Sequence, residues 1–292
     1  MRVAICVLLA SCIISSGCST KENILVAKQN SLGIKGKLHT LETNFYEVIV
    51  KFGEIEKGKQ ISELDFMPIN KSIVSRDQKN IQRTTYGYTD DGSSRIRYAK
   101  TISNTEITNL EDTVNSKTFN SDGTIKSTYK SISIKENGNV VEQKFFNNGE
   151  LNTVNIYKFN SDGDMAEKSI YHPDGSLKYR DVIEYTGNSQ VSYNYNHIGE
   201  LIGKKETVQD SMGNVLSSKS YYGDGGIIGS RNFIYNDQNL MIEKTTNYSH
   251  SKQKTKTYKY QFDDNENWIV KTHFVNSIPQ NIEERTITYY TN

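Results

Sequence analysis

Small turn-forming residues punctuate this chain at nearly constant intervals, and that timing limits what it can fold into. Turn glycines stand at Gly149, Gly163, Gly175, Gly187, Gly199, Gly213 and Gly225, separated by 14, 12, 12, 12, 14 and 12 residues. Gly92, Gly123 and Gly138 mark earlier turns, each after Asp or Asn. Such intervals leave about eight residues between turns of about four, which suits strands and is short for self-sustaining helices. In Asn160-Ser161-Asp162-Gly163 the Asn side chain is placed to accept from the backbone two residues on. Ser161 and Asp162 suit a type I turn, and Gly163 takes the left-handed position that follows. Gly123, Gly149, Gly163, Gly175, Gly199, Gly213 and Gly225 are therefore read as structural turn positions, with Asn239 and Asn265 standing in for glycine later.

Between the turns, residues alternate. Tyr157 and Phe159, Tyr193 and Tyr195, Phe233 and Tyr235, and Tyr258, Tyr260 and Phe262 are spaced to share a face. After the turns, Leu177 with Tyr179, Leu240 with Ile242, and Trp268 with Val270 follow the same rule, which predicts one apolar face and one wet face. A lone hairpin is marginal in water, and only 35% of the residues are apolar, so each hairpin needs its neighbours. The expected fold is all-β: an extended antiparallel meander of hairpin repeats, twisted or curled over its aromatic face. Two strands make a unit of 24 to 26 residues, within the range of repeat architectures. One domain is expected over 33–292, with an irregular, capping part at 33–83 that contains the breaker Pro68, and hairpin repeats at 84–292. Leu41 to Val50 also admits a helical reading, but its β-branched and aromatic content favours strand.

The first residues, "MRVAICVLLASCIISSGCSTKEN", are of another kind. Arg2 precedes an apolar run from Val3 to Ile14, too short to span a bilayer, and Ser15, Ser16, Gly17 and Cys18 follow. This is a secretory leader, and its end resembles a bacterial lipobox, with Ser15 where Leu is usual. The resemblance implies cleavage after residue 17, lipid on Cys18, and a polar tether over 18–32. All three cysteines, Cys6, Cys12 and Cys18, fall in this stretch, so the expected mature chain has neither a disulfide nor a thiolate metal site. Two or three acyl chains would hold it firmly to a membrane. Ser19, rather than Asp, points to the outer membrane. Loss of Arg2 with the leader leaves 34 basic and 34 acidic residues, a poor balance for a nucleic-acid partner.

Phe233 to Thr245, "FIYNDQNLMIEKT", and Tyr258 to Thr272, "YKYQFDDNENWIVKT", resemble the YD repeats of Rhs-type proteins, with Asn where those repeats carry Gly. Together with "LGIKGKLHTLE" and "EERTITYY", they resemble secreted YD-repeat-like lipoproteins of Bacteroidetes. That resemblance implies a β-shell fold and no activity.

Catalytic grammar is missing: the sequence has no G-x-S-x-G, P-loop, H-E-x-x-H or G-x-G-x-x-G. His39, His172, His197, His250 and His273 are scattered, none at metal-ligand spacing. Asp263 to Asn267, "DDNEN", imitates the start of a calcium loop, but Trp268 and Phe274 stand where Gly and Glu are needed. Trp268, the one tryptophan, has two readings: core packing, or an aromatic shelf for a glycan. The expectation is a lipid-anchored cell-envelope protein with a non-enzymatic binding or structural role and no cofactor or metal. Its partners would be the membrane through its anchor and an envelope protein or glycan. The alternatives are a glycan- or peptidoglycan-binding lipoprotein, and an envelope hydrolase.

Replacement of the anchor residue, Cys18→Ala, is expected to move the protein from the membrane pellet to the soluble fraction on ultracentrifugation. Continued sedimentation with membranes would remove the lipobox reading.

Overall fold

The computed structural model describes residues 33–61, 70–90, 95–249 and 251–291. The expectations for the leader, Cys18 and the tether, for Pro68, for Gly92 and for His250 lie outside the described residues. The described chain is strand throughout: β1 (Leu38–Lys51), β2 (Glu54–Ile61), β3 (Asn70–Val74), β4 (Asn80–Asp90) and β5 (Arg95–Ile107). Then come β6 (Glu111–Phe119), β7 (Ile125–Glu136), β8 (Asn139–Asn147), β9 (Glu150–Phe159) and β10 (Met165–Tyr171). Next are β11 (Leu177–Thr186), β12 (Ser189–Asn196), β13 (Leu201–Gln209), β14 (Val215–Tyr222) and β15 (Ile227–Tyr235). The last are β16 (Met241–Tyr248), β17 (Lys254–Phe262), β18 (Trp268–Val275) and β19 (Ile278–Tyr289). The segment Leu41 to Val50 lies in β1, as strand.

From β3 onward each strand pairs antiparallel with the next, and β19 returns to β1, Leu38 opposite Tyr289 and Glu47 opposite Asn281. The meander is therefore a closed barrel. β2 and β3 lie end to end along the other edge of β1, β2 against Phe45 to Lys51 and β3 against Thr40 to Thr43. They fill one place in the ring, which has eighteen strand positions. Closure removes the two open edges that a row of hairpins would otherwise expose.

The turns explain the period. Gly123, Gly149, Gly163, Gly175, Gly199, Gly213 and Gly225 all have positive φ, between 83° and 90°. At Gly163 the amide donates to the Asn160 carbonyl at 3.1 Å, and Asn160 Oδ1 accepts from the amides of Asp162 and Asp164 at 3.0 and 2.9 Å. Asp210, Asn236 and Asp263 open their turns in the same way. Asn239 takes the left-handed place with φ 64°, as expected. In the last of these turns that place belongs to Glu266, φ 59°, and not to Asn265. A second regularity lies beside them. Tyr185, Tyr235 and Tyr260 each donate to the carbonyl of the residue that leaves an earlier turn: Met165, Val215 and Met241, at 2.9, 3.2 and 2.7 Å.

Each such turn also carries a register shift, and this corrects the expected faces. Trp268 lies opposite Phe262 but Val270 lies opposite Gln261, and Leu177 lies opposite Tyr171 but Tyr179 opposite Ile170. The extra residue of the bulge reverses the parity, so these pairs do not share a face. Nor is one face apolar and the other wet. In β3, Ser72 and Val74 are each 1% exposed while Ile73 between them is 40% exposed; in β13, Thr207 is 2% exposed and Val208 40%. Ladder register joins Ser72, Val74 and Thr207 to one side of the sheet, with Leu41, Phe45, Tyr157, Ser218 and Thr246. That side is the inner wall, where curvature crowds side chains together and buries small polar residues under larger neighbours. Tyr193 and Tyr195 fall on the outer wall, opposite in sense to Phe233, Tyr235, Tyr258 and Tyr260.

One buried apolar cluster stands out, and it lies at the closure: Ile34, Leu38, Leu41, Val74 and Ile81, with Ile107, Ile287 and Tyr289 packed against it. Polar bonds reinforce it. Lys35 N donates to Asn267 Oδ1 at 2.8 Å, Asn267 Nδ2 donates to the Lys35 carbonyl at 3.0 Å, and Tyr289 Oη donates to Asp263 Oδ2 at 2.6 Å. The "DDNEN" turn is thus a clasp between chain start and chain end, its first carboxylate already saturated by two amides and a phenol.

Gly163→Val and Gly175→Val should each destabilise by more than ~1 kcal/mol, because a β-branched residue at positive φ is strained. Open space surrounds both positions, so a drop in urea midpoint reads the backbone strain. Unchanged midpoints would refute the turn assignment.

Candidate functional site

The turn glycines do not assemble a site. Strand alternation sends Gly123, Gly149, Gly175, Gly199 and Gly225 to one end of the barrel and Gly163 and Gly213 to the other. Trp268 does join a cluster. It is the first residue of β18, and register puts it on the inner wall beside Tyr260, whose ring centroid is 6.1 Å away. From β17 this wall carries Tyr258 and Tyr260, from β18 Lys271 and His273, and from β19 Asn281, Glu283 and Arg285. Two ladder rows set the neighbours: Tyr260, Lys271, Glu283 and Phe45 face across four strands, and Tyr258, His273, Asn281 and Glu47 do the same.

The charges in the cluster answer one another. Glu283 Oε2 lies 3.2 Å from His273 Nε2 and 3.6 Å from Lys271 Nζ. Lys271 Nζ stands 4.8 Å from the Tyr258 ring centre and 5.6 Å from that of Trp268. The Arg285 guanidinium lies flat enough on the indole that Cζ is 3.3 Å from its centre, a stacked cation–π contact. His273 meets Tyr258 edge-on at 5.2 Å. Asn281 Oδ1 and Arg285 Nε are buried with no hydrogen-bond partner among the described residues.

Burial governs the titration of these groups. It pulls Arg285 down to about 10 and pushes the Tyr260 phenol up to about 12. Burial also lowers Lys271, against the attraction of Glu283. For Glu283, burial acts to raise the carboxyl. The hydrogen bond from His273 and the charges of Lys271 and Arg285 together outweigh it and hold the carboxyl below its ordinary range. Glu283 is thus an anion shared by two cations and an imidazole, one negative charge among two fixed positive ones.

Sequence reasoning singled out Trp268 and passed over Lys271, His273, Glu283 and Arg285. The only signal for them is alternation, since Lys271 and His273, and Glu283 and Arg285, are each two residues apart. Of the other histidines among the described residues, His39 meets Tyr290 at a tilt with ring centres 4.7 Å apart, and His172 opens a turn. No group of three or more His, Cys, Asp or Glu side chains is placed to hold a metal among the described residues.

No protein-family model matches the chain, and no curated protein does either. Solved structures give distant likenesses. A porin-like protein from Bacteroides uniformis is 12% identical, with 86% of this chain and 96% of that one covered and a TM-score of 0.46. A porin-like protein from Bacteroides vulgatus is 11% identical over 87% of this chain and all of its own, with a TM-score of 0.36. TcdB2-TccC3 without its hypervariable C-terminal region is 11% identical over 72% of this chain and 15% of its own, with a TM-score of 0.25. At TM-scores under 0.5, such likenesses carry no argument about what this chain does.

Glu283→Gln leaves Lys271 and Arg285 buried without their counter-ion, and is expected to destabilise by about 3–5 kcal/mol. The pH dependence has a definite sign. Because the folded carboxyl titrates below its unfolded value, its stabilisation is complete above about pH 4.3 and is lost as pH falls through the lowered folded value. Urea melts from pH 3 to pH 7 should therefore lose part of their acid limb in the variant. An unaltered limb would contradict the ion cluster.

Proposed function

We propose that this chain is a lipid-anchored envelope protein whose barrel binds saccharide on its inner wall without altering it chemically. The observation that carries the reading is the half-buried shelf of Tyr258, Tyr260 and Trp268, which runs along the inner wall from mid-strand to one rim, with Lys271 and Arg285 fixed among the rings. Aromatic faces with polar rims suit sugar rings, which present apolar C–H patches bordered by hydroxyls. Glu283 is tied to His273 and Lys271. With its proton affinity lowered, it is badly placed to act as a general acid, and hydrolysis of a glycosidic bond ordinarily needs a second positioned carboxylate.

The barrel itself suits water rather than lipid. The outer wall carries Lys57 with Glu284 at 3.0 Å, Lys144 with Glu142 at 2.5 Å and Lys204 with Glu206 at 2.7 Å, all in mid-strand. The inner wall carries Lys205, Lys244, Lys271 and Glu283, each within its strand. Among the described residues neither wall offers the uninterrupted apolar band that a spanning barrel turns to the membrane, where each Lys or Arg at the midplane costs roughly 2–4 kcal/mol. Membrane attachment then falls to the acyl chains on Cys18, and the outer membrane is the favoured leaflet bearer.

Trp268 is the single tryptophan, so its emission reports the shelf directly. Titration with soluble peptidoglycan fragments and with oligosaccharides should shift that emission saturably, and Trp268→Ala should weaken retention on the matching glycan resin about tenfold, a loss near 1.4 kcal/mol. If no saccharide moves the emission or is retained, the reading fails.

A further inference from the structure

Beside the shelf, the inner wall changes character. Arg231 on β15 lies between Ser218 and Thr246 in one ladder row, and Lys254 on β17 continues that row. In the adjoining row Lys244 on β16 faces Lys256 on β17 directly. Like charges facing each other across a ladder are destabilising, and among the described residues none of these four cations has a carboxylate within ion-pairing distance. Lys244 leans instead toward the Phe233 ring, 5.7 Å from its centre. Lys254 and Lys256 are exposed, Arg231 and Lys244 half-buried. The hydroxyl-bearing flanks of Arg231 are nearly closed, Ser218 at 6% and Thr246 at 9% exposure. The same two side chains line a small dent with Arg231, Gly229 and Tyr248.

This arrangement is unfavourable for an isolated barrel and favourable for one that holds an anion. Burial lowers Lys244, and the positive charges of Arg231 and Lys256 lower it further. A carboxylate or phosphate seated among them would relieve that repulsion, take a bidentate bond from Arg231 and find hydroxyl donors at Ser218 and Thr246. The strip also runs into the shelf, since Lys256 is two residues from Tyr258 on the same wall and its charge reaches Lys271.

We infer that Arg231, Lys244, Lys254 and Lys256 form an anion subsite, and that the saccharide held on the neighbouring aromatic shelf is an acidic one. The inference rests on the saccharide-binding reading and adds the charge of the ligand to it. An oligosaccharide fits better than a bare anion because the cations adjoin aromatic faces, and better than a neutral glycan because cations left without counter-ions would gain nothing from one.

The test compares a uronic-acid oligosaccharide with a neutral oligosaccharide of equal length, using emission of Trp268 and calorimetry on the full chain without its leader. The acidic oligomer is expected to bind at least tenfold more tightly, with an affinity that falls as salt rises. The double variant Arg231→Gln, Lys256→Gln should bring it down to the neutral oligomer's level while far-ultraviolet dichroism stays unchanged and the melting temperature of the free protein does not fall, since it relieves like-charge repulsion. Lys254→Gln, at an exposed position, repeats the test with least risk to folding and should give a smaller loss in the same direction. Equal binding of the two oligomers, or variants without effect, would overturn the anion subsite and leave the saccharide reading standing. Failure of both oligomers to bind would overturn the two together. Tighter binding of a single-stranded oligonucleotide of matched charge would also overturn it, by assigning the strip to a different class of ligand.

Discussion

Everything in this molecule depends on the pairing of its first strand with its last. A meander of hairpins has neighbours everywhere except at its two ends, and those ends offer unpaired amides and carbonyls to any passing strand. β1 satisfies β19 with one edge and β2 and β3 with the other. The buried aliphatic cluster sits at this place, where two ends of the chain more than two hundred residues apart must be held. Loop-closure entropy opposes such contacts. The aliphatic packing and the Lys35–Asn267–Tyr289–Asp263 hydrogen bonds offset that cost locally. Elsewhere the walls are held by ladder bonds and by side-chain pairs between neighbouring strands, a distribution that suits a chain only 35% apolar.

Closure also gives the two faces of the sheet different physical roles. Once the ladder is a ring, side chains on one face converge and those on the other diverge. Serines and threonines can then be buried while valines and isoleucines stand in solvent, as Thr207 and Val208 do. On the inner wall burial follows curvature more than polarity, while Ser169, Phe274 and Ile282 are buried on the outer wall. Polar groups that end up inside need partners, and many find them across the ladder: Gln143 donates to Ser133 at 3.0 Å, and the Tyr157 hydroxyl donates to Gln143 Oε1 at 3.2 Å. The tyrosine-to-carbonyl bonds beside the turns belong to the same economy. Each uses a phenol to satisfy a carbonyl on a neighbouring hairpin, which ties successive units together and gives the recurring tyrosines a mechanical role.

How much of this the sequence disclosed depends on the range of the interaction. Turn chemistry is local, so Asp162-Gly163 and its counterparts announce strands, turn type and left-handed glycine without any tertiary information. Face parity is nearly local, yet it failed after the turns. A left-handed residue and the bulge that follows insert one position into one strand, and simple alternation counts straight through it. For that reason alternation puts Trp268 and Val270 on one face, and the turn pattern assigns Asn265 the place that Glu266 fills. Closure is not local at all. Nothing within β1 states that it will meet β19, because the seam needs Leu38 and Tyr289 in register across the whole chain. The charged cluster was illegible for the same reason. Lys271 and Glu283 are ordinary residues in their own strands and become a site only when β18 and β19 lie side by side.

That cluster is also the least economical feature of the barrel. Lys271, Glu283 and Arg285 stand among Phe45, Tyr258, Tyr260 and Trp268, neighbours that would pack well against aliphatic side chains. Buried ion groups of this kind are often matched or exceeded in stability by apolar replacements of similar volume, by about 1–4 kcal/mol. Packing alone therefore does not call for charge here. The unpaired cations on β15 to β17 add to the imbalance rather than relieve it, since Glu283 is already committed to its own strand neighbours. Both features make sense together if the wall is completed by something from outside that carries negative charge. Arg285 lying on the indole then has a further consequence. It fixes the ring before any ligand arrives, so less side-chain freedom is lost on binding. The cost of holding these charges in the isolated barrel is, on this view, the preorganisation of the surface that receives the ligand.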